Sequence, residues 1–296
     1  MPRLEREEYV EQAYFFRVYR ERLEENTPSQ EILEAIREEI LATTKLPMAI
    51  DFLKDEVKHS GKLSAAMVYL PHYFSAFQTF VVECSEAERG RFDQVIAFQI
   101  LEQEANYLTK SATQAGLFIY QFECLTRNRL GYDRGLEAIA ADPMYDEDWR
   151  SWIRQLRREL GMVEFSELIY RRSEHFQEEV RRKKRDENLV LPYPMFFGVQ
   201  EGRIAKANQG KDPLYMFSAL QRQLDYPAVP RQKTRELKPV IHPALQERFK
   251  RLEQRIKILE METQGKLDLS QFYEKQPDFS KLDDLSTNRD DSEFQN

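Results

Sequence analysis

Residues 91–130 read RFDQVIAFQILEQEANYLTK and then SATQAGLFIYQFECLTRNRL. Each half is about one helix long. In the first, Val95, Phe98, Leu101, Ala105 and Leu108 recur at spacings of three and four, which is one stripe of a helix. Ile96, Ile100 and Tyr107 widen the stripe beyond a surface face. The second half crowds Leu117, Phe118, Ile119, Tyr120, Phe122, Leu125 and Leu130 together. A helix that is apolar around most of its circumference must be covered on most sides. The two halves therefore predict the centre of an all-α domain, with amphipathic helices around it.

Composition agrees with that reading. Glycine is scarce, at 10 of 296 residues, and β-branched runs are rare, so helix is favoured over sheet. A chain of this length buries roughly 75% of its unfolded surface and needs no disulfide or metal to hold a core. A net charge of −7 argues against a protein that binds nucleic acid over its whole surface. Cys84 and Cys124 form no CxxC pair, which excludes a disulfide scaffold and a cysteine-rich zinc site. The N-terminal stretch MPRLEREEYVEQ carries no secretory apolar run, and no segment approaches the ~20 apolar residues that span a bilayer. The expectation is a cytoplasmic protein with no membrane partner.

Working outward toward the N-terminus, residues 4–25 predict a first helix with an aromatic block at Tyr14, Phe15, Phe16 and Tyr19. Thr27-Pro28-Ser29-Gln30 predicts the start of a second, with Thr27 as cap, Pro28 in the first turn and Gln30 completing a capping box. Pro47 begins a third helix that ends near Gly61. Toward the C-terminus, Gly131 stops the second central helix and Asp133 caps a short one. Asp146 opens another, and a last helix runs from about Glu164 to Lys184. The prolines that follow break residues 186–240 into a wrapping arm with short helices, one of them starting at Asp212-Pro213. The apolar run 191–197 is expected to lie across the helical block.

Residues 241–265 predict a long charged helix. Leu245, Phe249, Leu252, Ile256 and Leu259 alternate at four, three, four and three, a heptad seam with Phe249 and Ile256 at a and the leucines at d. Arg248 and Arg255 then fall at g, and Glu253 and Glu260 at the following e positions, the pairing of a parallel two-stranded coiled coil. Residues 266–296 read as a disordered acidic tail. The predicted architecture is thus a multi-helix globular bundle at 1–185, a proline-rich extended arm at 186–240, a coiled-coil-like helix at 241–265 and a tail at 266–296.

The sequence holds no phosphate loop, nucleotide-binding glycine motif or nucleophile elbow, and only four histidines. Three constellations carry candidate chemistry. Glu56 and His59 stand one helical turn apart and, with Glu102 and Glu123, supply the ligand types of a helical carboxylate–histidine metal site. Arg127, Arg129 and Arg134 surround Gly131 and offer guanidinium groups to an anion. Arg181, Arg182, Lys183, Lys184 and Arg185 form a basic run of the type that contacts nucleic acid, bracketed by Glu178, Glu179, Asp186 and Glu187, which weaken its field. None of these outweighs an ordinary structural role. The leading expectation is a non-catalytic helical interaction or scaffold protein without a cofactor. Its partners, a second copy among them, would bind through the C-terminal helix and tail. A helical metalloprotein or small-molecule enzyme and a nucleic-acid-associated protein are the alternatives.

Overall fold

The structure, a computed structural model, describes residues 3–40, 44–87, 92–110, 112–231, 248, 251–253, 255, 256 and 259. The chain divides into two units, Met1–Thr234 and Arg235–Asn296. Among the described residues the first unit is helical and contains no strand. In order it runs α1 (Arg6–Glu24), α2 (Ser29–Glu39), α3 (Leu46–Ser60), α4 (Leu63–Val68), α5 (Ala76–Glu86), α6 (Gln94–Leu108), α7 (Gln114–Asn128), α8 (Tyr132–Ala140), α9 (Glu147–Glu159), α10 (Phe165–Arg171), α11 (Glu174–Lys184), α12 (Val199–Ala207) and α13 (Pro213–Leu224).

The two helices of the opening stretch are α6 and α7, and both are buried along most of their length. They pack only lightly on each other. Helix α6 lies along α1 and α5, while α7 lies along α13 and α8. Each gathers its own aromatic group. Around α6, Tyr19 stacks on Phe98 at 4.3 Å, and Phe15, Phe16 and Phe74 close in beside them. Around α7, Phe122 stacks on Phe165 at 3.8 Å, while Phe118 meets Trp149, Trp152 and Phe197. Phe15, Phe16 and Tyr19 of the first helix are therefore core, and their large rings give contact area in tilted and stacked pairs, while Tyr14 is only partly buried.

Several helix ends differ from expectation, each for a local reason. Thr27 does not start α2: its N–H donates to the Arg22 carbonyl, and Asn26, at φ 61°, donates to Leu23. That is a Schellman end for α1 with Asn in the left-handed position. Pro28 then stands as the N-cap of α2 with no side-chain cap. Gly61, at φ 70°, does end α3, since a left-handed residue there suits glycine. Helix α4 follows within residues 62–70. Helix α7 ends two residues early, on Arg129 at φ 55°, and Gly131 becomes the N-cap of α8, which leaves Asp133 in its first turn.

The expected helix from Glu164 to Lys184 is two helices. Ser173 interrupts it: its hydroxyl donates to the Tyr170 carbonyl and accepts from the Phe176 N–H, which caps α11. The break frees the Arg172 carbonyl, which accepts from the N–H groups of Phe196 and Phe197, and the Glu174 N–H donates to Phe197. The described part of the proline-rich segment thus belongs to the first unit. Phe196 and Phe197 bind the break through their backbone and pack their rings on Trp149 and Trp152. Asp212 caps α13, accepting from the Leu214 N–H at 2.9 Å.

Residues 248, 251–253, 255, 256 and 259 of the second unit are helical. Leu245, Phe249 and the tail at 266–296 lie outside the described residues.

Candidate functional site

The interior of the first unit is not uniformly apolar. Gln12 on α1, Gln78 on α5, Glu104 on α6, Gln121 on α7 and Asp142 in the turn after α8 are all buried. Each occupies a position on its helix's apolar face or directly after it, so the fold carries it inward with its neighbours. Gln121 is the hub. Its Nε2 donates to Glu104 Oε1 at 2.7 Å and to Asp142 Oδ2 at 3.2 Å, while its Oε1 accepts from the Tyr145 hydroxyl at 2.8 Å. Gln78 Nε2 donates to Gln12 Oε1 at 3.2 Å, and Gln12 Nε2 donates to the Tyr73 carbonyl at 2.7 Å. A small cavity of about 10 Å³, on the scale of a single water, is lined by Gln12, Tyr73, Ser75, Gln78 and Asp142.

The two carboxyls are unequally served. Asp142 Oδ1 accepts from the Met144 N–H at 2.9 Å, in addition to its bond from Gln121. Glu104 Oε2 has no hydrogen-bond partner. Burial, and then the neighbouring Asp142, push the Glu104 carboxyl up to about 8. Burial also raises Asp142, against the pull of its hydrogen bonds and of Arg150. A buried charge with few donors is costly, so protonation is the cheaper state for the less supported acid.

A second buried acid, Glu123, pairs with Arg127 one turn along α7. Its other oxygen accepts from the Tyr226 hydroxyl at 2.7 Å, and that hydroxyl lies 3.0 Å from the Phe217 carbonyl. The node ties α7 to the chain just beyond α13. Burial, and then Glu123, raise the Tyr226 phenol far above its ordinary value.

A groove of about 620 Å³ lies between α4, α5 and α8. Its walls are the stripes Ala76, Thr79, Phe80, Glu83 on α5 and Arg134, Glu137, Ala138, Ala141 on α8, with Met67 and Val68 from α4. Its charges are already paired: Arg134 with Glu83, and Glu137 with Arg154 and Arg157.

Among the described residues, no three His, Cys, Asp or Glu side chains are grouped so that they could hold a metal ion. The residues considered from sequence as ligands are therefore not assembled into one site. His59 is exposed in the last turn of α3, and Glu56 is half-buried. Glu102 binds Arg20 at 3.2 Å, and Glu123 is held as described. The three arginines around Gly131 each have their own surroundings. Arg127 and Arg134 each hold a glutamate, while Arg129 is exposed at the end of α7. The basic run closes α11. Arg181 Nε donates to the Leu189 carbonyl at 2.8 Å, Arg182 pairs with Glu178 at 3.5 Å, and Arg185 takes the left-handed end position. Of the proposed seam, Leu252, Ile256 and Leu259 lie on helix and are more than half exposed, at 52%, 54% and 59%.

Sequence reasoning passed over Glu104, Gln121 and Asp142. A signal existed for the first: Leu101, Glu104, Ala105 and Leu108 share the three-and-four register, so Glu104 sits on the buried stripe, whereas Glu102 stands at its edge beside Arg20. Comparison with known proteins finds no matching family model, no matching curated protein and no matching solved structure.

Proposed function

We propose that the protein is a non-catalytic, intracellular interaction protein that self-associates through the helix at 241–265. The observation that supports this most is the exposure of Leu252, Ile256 and Leu259 along one helical seam of the second unit. Leu252 and Ile256 in that register are costly to leave in water, and a matching seam covers them. The charges around it favour a second copy in parallel. Arg248 and Arg255 at g face Glu253 and Glu260 at the e positions of a partner strand. A seam of under three heptads is short, so association is concentration-dependent. The two cysteines are free, and a reducing compartment suits them. Further protein partners are reached through the same helix and the tail at 266–296.

Sedimentation equilibrium on the full chain tests the reading. The expected result is a monomer–dimer equilibrium at micromolar concentration. It should collapse to monomer in Leu252→Lys/Ile256→Lys, with the far-ultraviolet helical signal of the first unit retained. A wild-type chain that stays monomeric throughout the concentration range, or a variant that dimerises equally well, rejects it.

A further inference from the structure

Glu104 and Asp142 lie in the interior of the first unit at 1% and 3% exposure, and a single side-chain amide donates to both. The Tyr145 hydroxyl fixes that amide by donating to its oxygen, so both N–H groups of Gln121 point at acids. Two carboxylates sharing a buried donor cannot both carry charge cheaply. We infer that Glu104 and Asp142 hold one negative charge between them, with the proton on Glu104, and that this keeps two like charges from opposing each other across Gln121 between α6 and the 142–145 turn.

The hydrogen-bond census assigns the proton. Asp142 receives the Met144 N–H and a Gln121 N–H, and Arg150 and the Ser75 hydroxyl also favour its charge. Glu104 receives the other Gln121 N–H and is acted on by the Gln78 amide, but its Oε2 is buried and unpartnered. A neutral oxygen without a partner costs far less there than a second charge.

The other groups around Glu104 supply no compensating cation. Among the described residues, Tyr9 acts with it from α1, Gln78 from α5, Tyr120 and Cys124 from α7, and Tyr145 from the turn. Burial holds the phenols of Tyr9, Tyr120 and Tyr145 and the Cys124 thiol neutral at and beyond physiological pH. Arg150 acts on Asp142, Arg3 on Tyr9 and Arg127 on Cys124.

The turn is also held by Tyr145, which is buried against Trp149, and by bonds around Met144. Asp142 anchors it by accepting from the Met144 N–H. The Met144 carbonyl accepts from Arg3 Nη2 at 3.1 Å and from Gln114 Nε2 at 2.8 Å. Ionisation of Glu104 releases one proton to solvent and sets like charges on either side of Gln121. The strain falls on this turn and, through Arg3, on the chain leading into α1.

The sign of the pH dependence follows. The carboxyl is raised from 4.5 to about 8 in the folded protein, so folded Glu104 keeps a proton that the unfolded chain gives up. The stabilisation is fully present below about 4.5 and is lost as pH rises from there to about 8.

Infrared spectroscopy of the full chain in heavy water reads the proton directly, through the carbonyl stretch of a neutral carboxyl. The wild type should show that band at neutral pH and lose it near pH 8. Glu104→Gln should lack it, and its melting temperature, relative to wild type, should rise across the same interval. In Asp142→Asn the band should persist but titrate at lower pH, because one of the two causes of the shift is gone. That second variant keeps the test decisive should Glu104→Gln fold poorly. A wild type without the band at neutral pH, a band retained in Glu104→Gln, or an unchanged titration in Asp142→Asn overturns the inference.

Discussion

At Tyr226 one hydroxyl proton faces two acceptors, Glu123 Oε2 and the Phe217 carbonyl. Glu123 is buried with Arg127 as its cation, so the phenol supplies the hydrogen bond that its second oxygen would otherwise lack. Bonds to charged groups contribute about 1.5–3 kcal/mol. Tyr226→Phe should therefore lower unfolding free energy by that amount while the fold persists, as read from the denaturant midpoint at constant slope. A loss below ~0.5 kcal/mol would show that Arg127 alone satisfies the acid. The same accounting explains why Glu102 is an ordinary surface-edge acid. It meets Arg20 where water still reaches both partners, and such pairs contribute little.

At the scale of elements, glutamates borrowed from elsewhere in the chain start two helices, α4 and α3. Glu86, the last residue of α5, accepts from the Leu63 N–H at 2.7 Å and the Ser64 N–H at 3.0 Å, as well as from the Ser64 hydroxyl. Helix α4 has no side-chain cap of its own, since Lys62 precedes it. Glu8 plays the corresponding part for α3, accepting from the Lys45 N–H. A carboxylate at the positive end of a helix also meets its dipole favourably. Glu86→Ala should cost about 1–2 kcal/mol, and Glu86→Gln visibly less, because the amide oxygen still accepts. Equal losses for the two substitutions would argue against capping. Helix α5, by contrast, carries its own signature: Ser75 and Gln78 form a complete capping box.

For the molecule as a whole, the two aromatic groupings, around α6 and α7, must be joined, and the joints are polar. Tyr120 donates to the Ile100 carbonyl at 2.8 Å, and Gln121 reaches Glu104. The strap at 196–197 then closes the α7 side, with Phe197 2% exposed among Phe118, Trp149 and Trp152. Removing a buried aromatic ring costs about 3–5 kcal/mol. Phe197→Ala should lower stability on that scale. Limited proteolysis should then cut between residues 186 and 198 before the rest of the unit is lost. A variant cleaved no faster in that segment than wild type would place the strap's anchor elsewhere.

The residues alone specify the helical class, the two central helices and the starts at Asp146 and Asp212, because apolar periodicity and capping are local properties. The sequence also marked the buried aromatic residues Phe15, Phe16 and Tyr19 of α1. The capping box at Ser75 and the stripe position of Glu104 were equally present in it and went unread. Other features were decided only by the tertiary structure. Thr27 was claimed by the end of α1, and the 164–184 helix was broken where Ser173 and the returning strap compete for its backbone. Gln121, Glu104 and Asp142 come from three separate elements, 21 positions apart at the nearest contact to Asp142. No periodicity links such residues, since hydrogen bonds across a core depend on where helices cross, and crossing is set by the packing of all the side chains at once.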